Sequence, residues 1–461
     1  MPSVFQGINV ASMALRSFQR GLDITGHNIA NVNTPGYSRQ TLDLAQNYPI
    51  EFWSNGIKSI GQGVSIGSIN RVRDLFLESR RQTSSADSGL YSELAGTVKN
   101  VLKIMNEPGK DGISGTLGKF FDAWSALASN PNEAANRLQV QTVGKSLAGK
   151  IRDAFQQLDV EQTNLNAQIA DTINTVNQIA ERISDLNAQI RVQQSTGGIP
   201  NDLLDQRDTL VRQMSELVPV NTRINTDGTM SINVGEHALV DQAGFTGLPA
   251  TVNAATMQLT GGVIPINIRS GKLAGLMQSS GQYTSAKASL DTLANNLRTQ
   301  VNAIHTTGTN QNGTTNIRFF NDASPQTGAI DFDLSTQVAA DYKNIATGAS
   351  SPYVAGDTAL ALSLSQLRDQ SIAGLGNKSF VQFQSDQVNA WGSTYNYYAN
   401  AADTQAAMLE QTDAQQEALS GVNLDEEMAN MLRYQRSYQA AAKVLTIFDQ
   451  VTEDLISMLR R

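Results

Sequence analysis

The chain has 461 residues, a charged fraction of 16% and a net charge of −8. This length exceeds one compact core and predicts roughly two to four domains. The acidic balance does not favour nucleic-acid binding, and no apolar run approaches the roughly 18 residues needed for membrane insertion. Cysteine is absent, which fits either a reducing cytosol or export in an unfolded state.

The first predicted element is an amphipathic helix near the N-terminus. Its stripe recurs alternately four and three residues apart and consists of Val4, Ile8, Ala11, Leu15, Phe18, Leu22, Thr25 and Ile29. Such a heptad stripe predicts packing against another helix. The helix is expected to end before Gly36, because Pro35 disfavours the helical conformation at Thr34 and glycine permits a reversal of the chain.

A long helix is predicted over residues 158–194. Its seam has the same spacing and consists of Leu158, Gln162, Leu165, Ile169, Thr172, Val176, Ile179, Ile183, Leu186 and Ile190. Upstream, Asn130, Pro131 and Glu133 form a helix-start signal, with Pro131 at the first helical position. Further helices are predicted near 71–105, 203–217 and 285–304.

A small β domain is predicted over residues 218–270. Ile224 and Met230 flank a turn at Asp227-Gly228, which is typical of a β-hairpin. Residues 308–352 are rich in Gly, Asn, Thr and Ser and are expected to be irregular. Helical patterning then returns and continues toward the C-terminus.

The C-terminal helix carries a second heptad stripe. Its members are Met431, Tyr434, Tyr438, Ala441, Leu445, Phe448, Thr452, Leu455 and Leu459. A helix with one apolar stripe is marginal alone in water, so we expect the two terminal helices to pair. Periodicity leaves open whether the stripes close the chain's own bundle or face neighbouring subunits.

These elements predict an α+β fold: an elongated, mostly long-helix bundle with paired terminal helices and a small inserted β domain. Residues 1–60 with 415–461 would form a terminal coiled-coil assembly domain. Residues 61–217 with 271–414 would form a rod-like helical domain, and 218–270 the β domain.

The sequence offers little for catalysis. His27, His237 and His305 are far apart, and without cysteine no zinc-binding spacing exists. No serine stands in a nucleophile elbow, and Asp425, Glu426 and Glu427 are best explained as the favourable first turn of a helix. We therefore expect a structural protein with no catalytic residues, metal or cofactor.

Both ends of the chain resemble the bacterial flagellar axial proteins, the family of rod, hook and hook-associated subunits. The N-terminal signature comprises Asn28, Ile29, Ala30, Asn31, Asn33, Thr34, Pro35, Gly36 and Tyr37. The C-terminal likeness covers residues 420–428 and 434–442. Ser38-Arg39-Gln40 and the segment 421–427 point within this group to hook-associated subunits of the hook–filament junction.

The resemblance implies a structural subunit that is exported through the flagellar type III apparatus without a cleavable signal. Outside the cell it would assemble with copies of itself into a ring through its terminal helices. The implied partners are the hook protein, the next junction protein and, before export, a cytoplasmic chaperone at the C-terminal helix. Neither nucleic acid nor a membrane is an expected partner.

Three alternatives remain open from the sequence. The chain could be another axial subunit of the rod or hook, although the Ser-Arg-Gln detail disfavours this. It could be a surface enzyme with its active domain in residues 218–270, where His237 is the only histidine. It could also be an adhesin that binds surfaces through this region, on which the sequence carries no signal.

Overall fold

The structure of the chain is a computed structural model that describes residues 4–53, 57–253, 258–260, 265–322 and 328–459. It divides into two compact units. Unit 1 comprises Met1–Ser85, Asn177–Gly247 and Ala406–Arg461. Unit 2 comprises Ala86–Val176 and Leu248–Gln405.

Helices make up most of the described chain. They are α1 (Val4–Ala30), α2 (Leu75–Ile104), α3 (Ile113–Ser129), α4 (Ala134–Ser195), α5 (Asn201–Leu217), α6 (Gly271–His305), α7 (Thr336–Ala340), α8 (Ala359–Gln366), α9 (Phe380–Ser420) and α10 (Leu424–Leu459). Short 3₁₀ turns lie at Ala329–Asp331, Tyr342–Asn344 and Ala373–Leu375. The mostly helical α+β fold predicted from the sequence is confirmed.

The strands are short and antiparallel. They are β1 (Gln40–Gln46), β2 (Ile50–Trp53), β3 (Ile57–Ile60), β4 (Val64–Arg71), β5 (Asn221–Ile224), β6 (Met230–Val234), β7 (His237–Val240), β8 (Thr251–Asn253), β9 (Gln258–Thr260) and β10 (Ile266–Asn267). β1 pairs with β4, with a bulge between Asp43 and Leu44, and β2 pairs with β3. The other strands form two three-stranded sheets in the orders β5-β6-β7 and β10-β9-β8.

The predicted hairpin is present in the first of these sheets. β5 and β6 pair across the turn, where Gly228 has a φ of 75°. Glycine adopts such a conformation readily, because it has no Cβ atom. The β region therefore holds two separate sheets, whose strands fall in different compact units. The division into three domains stays a prediction.

The long predicted helix corresponds to α4, which has 62 residues. Its seam is confirmed, since eight of the ten predicted positions are buried and Gln162 and Leu186 are partly buried. The predicted start at Pro131 is wrong, because the helix begins at Ala134. The backbone N–H of Glu133 donates to the carbonyl of Asn130 at 3.3 Å, so this segment closes a turn before the helix begins.

The core of unit 2 is an aromatic cluster. Phe120 and Trp124 of α3 pack with Phe319 and Phe320 at ring-centroid distances of 5.3 to 6.3 Å. All four side chains are fully buried. Edge-to-face and tilted ring contacts of this kind add to the free energy of apolar burial.

Candidate assembly interface

The two terminal helices pair antiparallel in unit 1. The ring of Phe448 lies directly against Gly7, and the ring of Tyr434 lies against Gly21. A Cβ atom on Gly21 would meet the Tyr434 ring at 2.8 Å. Large rings on α10 thus occupy the space that small residues leave on α1, which is knobs-into-holes packing between helices. The same offset places Ala14 opposite Ala441.

The predicted α1 stripe only partly coincides with this seam. Ala11 is buried, whereas Ile8, Leu15, Phe18, Leu22 and Ile29 are partly buried. Other buried positions of the helix are Ser17, Gly21, Ile24, Thr25 and Asn28. Two of the contacts with α10 are made at glycines, Gly7 and Gly21, which the predicted stripe does not include. Val4 lies in α1, but its side chain falls outside the described part of the structure.

The predicted α10 stripe lies mostly toward α1. Ala441 is buried, and Met431, Tyr434, Leu445 and Phe448 are partly buried, while Tyr438 and Leu455 are exposed. The side chain of Leu459 is outside the described residues. The role of these residues in assembly stays a prediction.

A second apolar stripe on α10 is exposed. It consists of Val444, Ile447 and Val451 together with Leu455, which also belongs to the predicted stripe, and their side chains are 40–60% exposed. These residues recur three and four apart, so they share one face of the helix. In this structure α1 covers only the neighbouring face.

Asn28 joins the N-terminal signature to the C-terminal helix. Its side chain is 1% exposed. The amide Nδ2 donates to the Gln40 carbonyl at 2.9 Å and to Glu427 Oε2 at 3.1 Å. The Oδ1 atom accepts from the Tyr37 hydroxyl at 2.7 Å and from the Gln40 backbone N–H at 3.0 Å. All four hydrogen-bonding sites of this side chain are therefore satisfied.

Tyr37 acts here as a donor. Its hydroxyl donates to Asn28, and His27 Nδ1 lies 3.1 Å from the same oxygen. Burial, together with the carboxylates of Asp205, Asp202 and Glu427, raises the pKa of Tyr37 well above its usual value. The phenol therefore stays protonated, as the bond to Asn28 requires.

Arg39 and Glu427 form a second link between the two ends. Arg39 Nε donates to Glu427 Oε1 at 2.9 Å, and Arg39 Nη1 lies 2.9 Å from Glu426 Oε2. The Arg39 backbone N–H also donates to the carbonyl of Ser420 at 3.0 Å. Glu427 is 2% exposed. A buried charge needs partners, and here Arg39 and the amide of Asn28 provide them.

An ionic cluster on α5 supports the signature from the other side. The Ser38 backbone N–H donates to Asp205 Oδ2 at 3.2 Å. Arg71 of β4 contacts Asp205 at 2.7 Å and Asp208 at 2.9 Å. Burial raises the pKa of Asp205, although the Arg71 contact opposes the shift. The cluster connects the signature, the β1–β4 pair and α5 within unit 1.

Sequence reasoning found the two signatures but missed what they contact. The α5 cluster was not predicted, although Asp205, Asp208 and Arg212 recur three and four residues apart along α5. The glycines of α1 were also missed. Gly7 and Gly21 are two heptads apart, and that spacing was the available signal.

Among the described helices, none has the length and apolar character to cross a membrane. Within the same part of the chain, no group of three or more His, Asp or Glu side chains is placed to hold a metal ion.

Family models match the middle and both ends of this chain. Residues 98–320 match the family described as Flagellar hook-associated protein FlgK helical domain. Residues 415–458 match Flagellar basal body rod FlgEFG protein C-terminal. Residues 8–37, which include most of the N-terminal signature, match Flagella basal body rod protein.

Two relatives that match along nearly their whole length have the same name. The chain is 27% identical to Flagellar hook-associated protein 1 of Bacillus subtilis, with 99% of each chain covered. It is 26% identical to the protein of the same name from Salmonella typhimurium, covering 98% of this chain and 99% of the relative.

A solved structure shares the fold. It is described as the flagellar hook junction protein FlgK from Burkholderia pseudomallei. Its TM-score is 0.63 at 16% identity, and the match covers 75% of this chain and 100% of that chain. Since the named relatives extend along nearly the whole chain and the family matches include both ends, the chain resembles the flagellar hook-associated protein 1 family along its length, and the members of that family are structural proteins of the extracellular flagellum.

Proposed function

We propose that the chain forms the junction between hook and filament as a ring of subunits, assembled through the terminal helices after type III export. The observation that carries this proposal is the exposed stripe Val444, Ile447, Val451 and Leu455 on α10. A contiguous apolar face on a soluble protein marks an interaction site. A helix pair that leaves such a face uncovered supports contact with the helices of neighbouring copies.

The proposed partners follow from the same ends of the chain. Copies of the chain would pack through α1 and α10, and the hook protein and the next junction protein would contact the two sides of the ring. Before export, a cytoplasmic chaperone would cover α10, whose two stripes would both be exposed without α1. A helix that folds on assembly loses conformational entropy at that step, which favours a holding partner beforehand.

Electron microscopy of cells that lack this gene tests the junction role, together with an assay for filament subunit in the medium. Intact hooks without filaments, and filament subunit released from the cells, are the expected results. Missing hooks would instead favour a rod or hook subunit, which is the alternative. Normal flagella would contradict both.

Export is tested separately. Removal of residues 1–37 is expected to keep the protein inside the cell, because the proposal places the export information in this segment. Appearance of the truncated protein in the medium at the level of the full chain would show that the information lies elsewhere. The truncated and full-length chains are compared in the strain that lacks the gene, after the phenotype of that strain has been established.

A further inference from the structure

The polar contact at the end of the terminal helix pair continues the repeat of its apolar contacts. Gly7 faces Phe448, and Gly21 faces Tyr434, so positions two heptads apart on α1 meet positions two heptads apart on α10. One heptad further along each helix, Asn28 contacts Glu427 at 3.1 Å. The three contacts therefore share one antiparallel register.

The apolar contacts do not by themselves exclude a shifted register, although the shift would bring a Cβ atom under the ring of Phe448, where Gly7 has none. If α10 slid by one heptad, Ala14 would face Phe448 and Gly21 would face Ala441. Both arrangements keep a small residue on one side and an apolar residue on the other. Heptad repeats in general permit such shifts unless one layer differs in chemistry.

The Asn28–Glu427 layer differs in this respect. A shift of one heptad would place Asn28 opposite Tyr434 and remove its contact with Glu427. Asn28 and Glu427 are both buried, so the slipped register would leave a buried amide hydrogen and a buried charge without these partners. Buried polar groups that lose their partners are costly. Arg39 and the Gln40 backbone hold the two side chains in place from β1 and the preceding loop.

We propose that the contact between Asn28 and Glu427 is a register lock, which selects one alignment of α1 with α10 among those that the apolar seam permits. The lock is a property of the single chain and does not depend on the proposed junction role. A single Asn at a core position of a coiled coil is the best-attested device of this type.

The distance between two spin labels tests the lock in the full chain. The chain has no cysteine, so cysteines at Gln19 and Gln450, both exposed, accept the labels without further changes. In the observed register these positions are about 20 Å apart along the helix axis, and a one-heptad shift changes that separation by about 10 Å. The unsubstituted chain should therefore give one narrow distance distribution.

The informative variant replaces both polar partners with apolar residues, Asn28→Leu with Glu427→Leu. We expect it to keep the helices paired and to show a second distance population, displaced by up to about 10 Å. Two controls distinguish a change in the alignment of the helices from a loss of pairing stability. Phe448→Ala weakens an apolar layer and should keep one distance, and Glu427→Gln keeps a hydrogen-bond acceptor for Asn28 and should keep one distance as well.

Three results would overturn the lock. The first is a single unshifted distance in the Leu–Leu variant, which would show that the apolar seam alone fixes the register. The second is several distances in the unsubstituted chain. The third is a featureless distribution in the Leu–Leu variant equal to that of Leu445→Asp with Phe448→Asp, since the contact would then hold the helices together without selecting their alignment.

Discussion

The ring of Tyr434 lies 2.8 Å from the position that a Cβ atom on Gly21 would occupy. Gly21→Ala should therefore force the ring and α10 outward, at a cost of about 1–3 kcal/mol typical of overpacking. We expect lower thermal stability of the terminal helices by far-UV circular dichroism and faster amide exchange in α1.

Gly26 provides a matched control on the same helix. Apart from its chain neighbours and the nearby backbone of its own helix, no described atom lies within 4 Å of the position that its Cβ would occupy. Gly26→Ala should stabilise α1 by about 0.5–1 kcal/mol through helix propensity alone. If both substitutions stabilised the helix, the close packing of Tyr434 on Gly21 would not exist in solution.

The two stripes of α10 should respond differently to charge. Ile447→Asp with Val451→Asp changes exposed positions, so the isolated chain should keep its thermal stability within about 1 kcal/mol. Incorporation into flagella, measured by immunoblotting of purified hooks and filaments, should be lost. Leu445→Asp with Phe448→Asp changes the face toward α1, and we expect loss of both pairing and incorporation. Wild-type incorporation of the first variant would remove the exposed stripe from the proposed interface.

Periodicity predicted the elements of this fold better than their contacts. The α4 seam was found because ten positions keep one spacing over a helix that is buried along that side. The α1 seam was only partly found, because two of its contacts involve Gly7 and Gly21, and an apolar periodicity does not weigh glycine.

The signature residues were identified by resemblance, but their partners lie about 390 positions away in sequence, as Arg39 and Glu427 show. No local pattern encodes such a pairing. The same limit applies to Asp205, whose partners Ser38 and Arg71 come from separate segments. Long-range polar contacts of this kind depend on the tertiary fold, whereas heptads depend only on the local helix.

Burial gives His305 a pH-dependent role in the stability of unit 2. Its Nδ1 atom donates to the Ile317 carbonyl at 2.7 Å, and Nε2 accepts from the Ala346 N–H at 3.0 Å. Burial lowers the pKa of His305 from 6.5 to about 4. The folded-state pKa is below the unfolded one, so this contribution is complete above pH 6.5 and is lost as the pH falls toward 4. The loss amounts to about 3 kcal/mol.

Urea unfolding between neutral pH and about pH 4 measures this dependence. His305→Gln should be less stable at neutral pH and should lose less stability on acidification than the parent chain. His237 is only partly buried and contacts the Thr246 carbonyl, so His237→Gln serves as the control and should follow the parent. An equal acid response in all three chains would assign the effect to carboxylates.

Arg137 on α4 should be irreplaceable by lysine although the charge is conserved. It is fully buried, and its guanidinium donates to the carbonyls of Ile345 and Pro131 and to the Thr347 hydroxyl. These acceptors surround the planar guanidinium group, whose fixed arrangement of N–H donors a lysine ammonium cannot reproduce. Arg137→Lys should lower the free energy of unfolding by about 2–4 kcal/mol, since buried acceptors and a buried charge lose partners.

Arg152 is the matched control for Arg137, because it also lies on α4 but is partly exposed. It makes one ion pair, with Asp333 at 2.7 Å. Arg152→Lys should change the free energy of unfolding by less than about 1 kcal/mol, as is usual for accessible ion pairs. Urea titration of both variants at one pH makes the comparison. Equal losses would mean that charge rather than the guanidinium geometry stabilises residues 342–353 against α4.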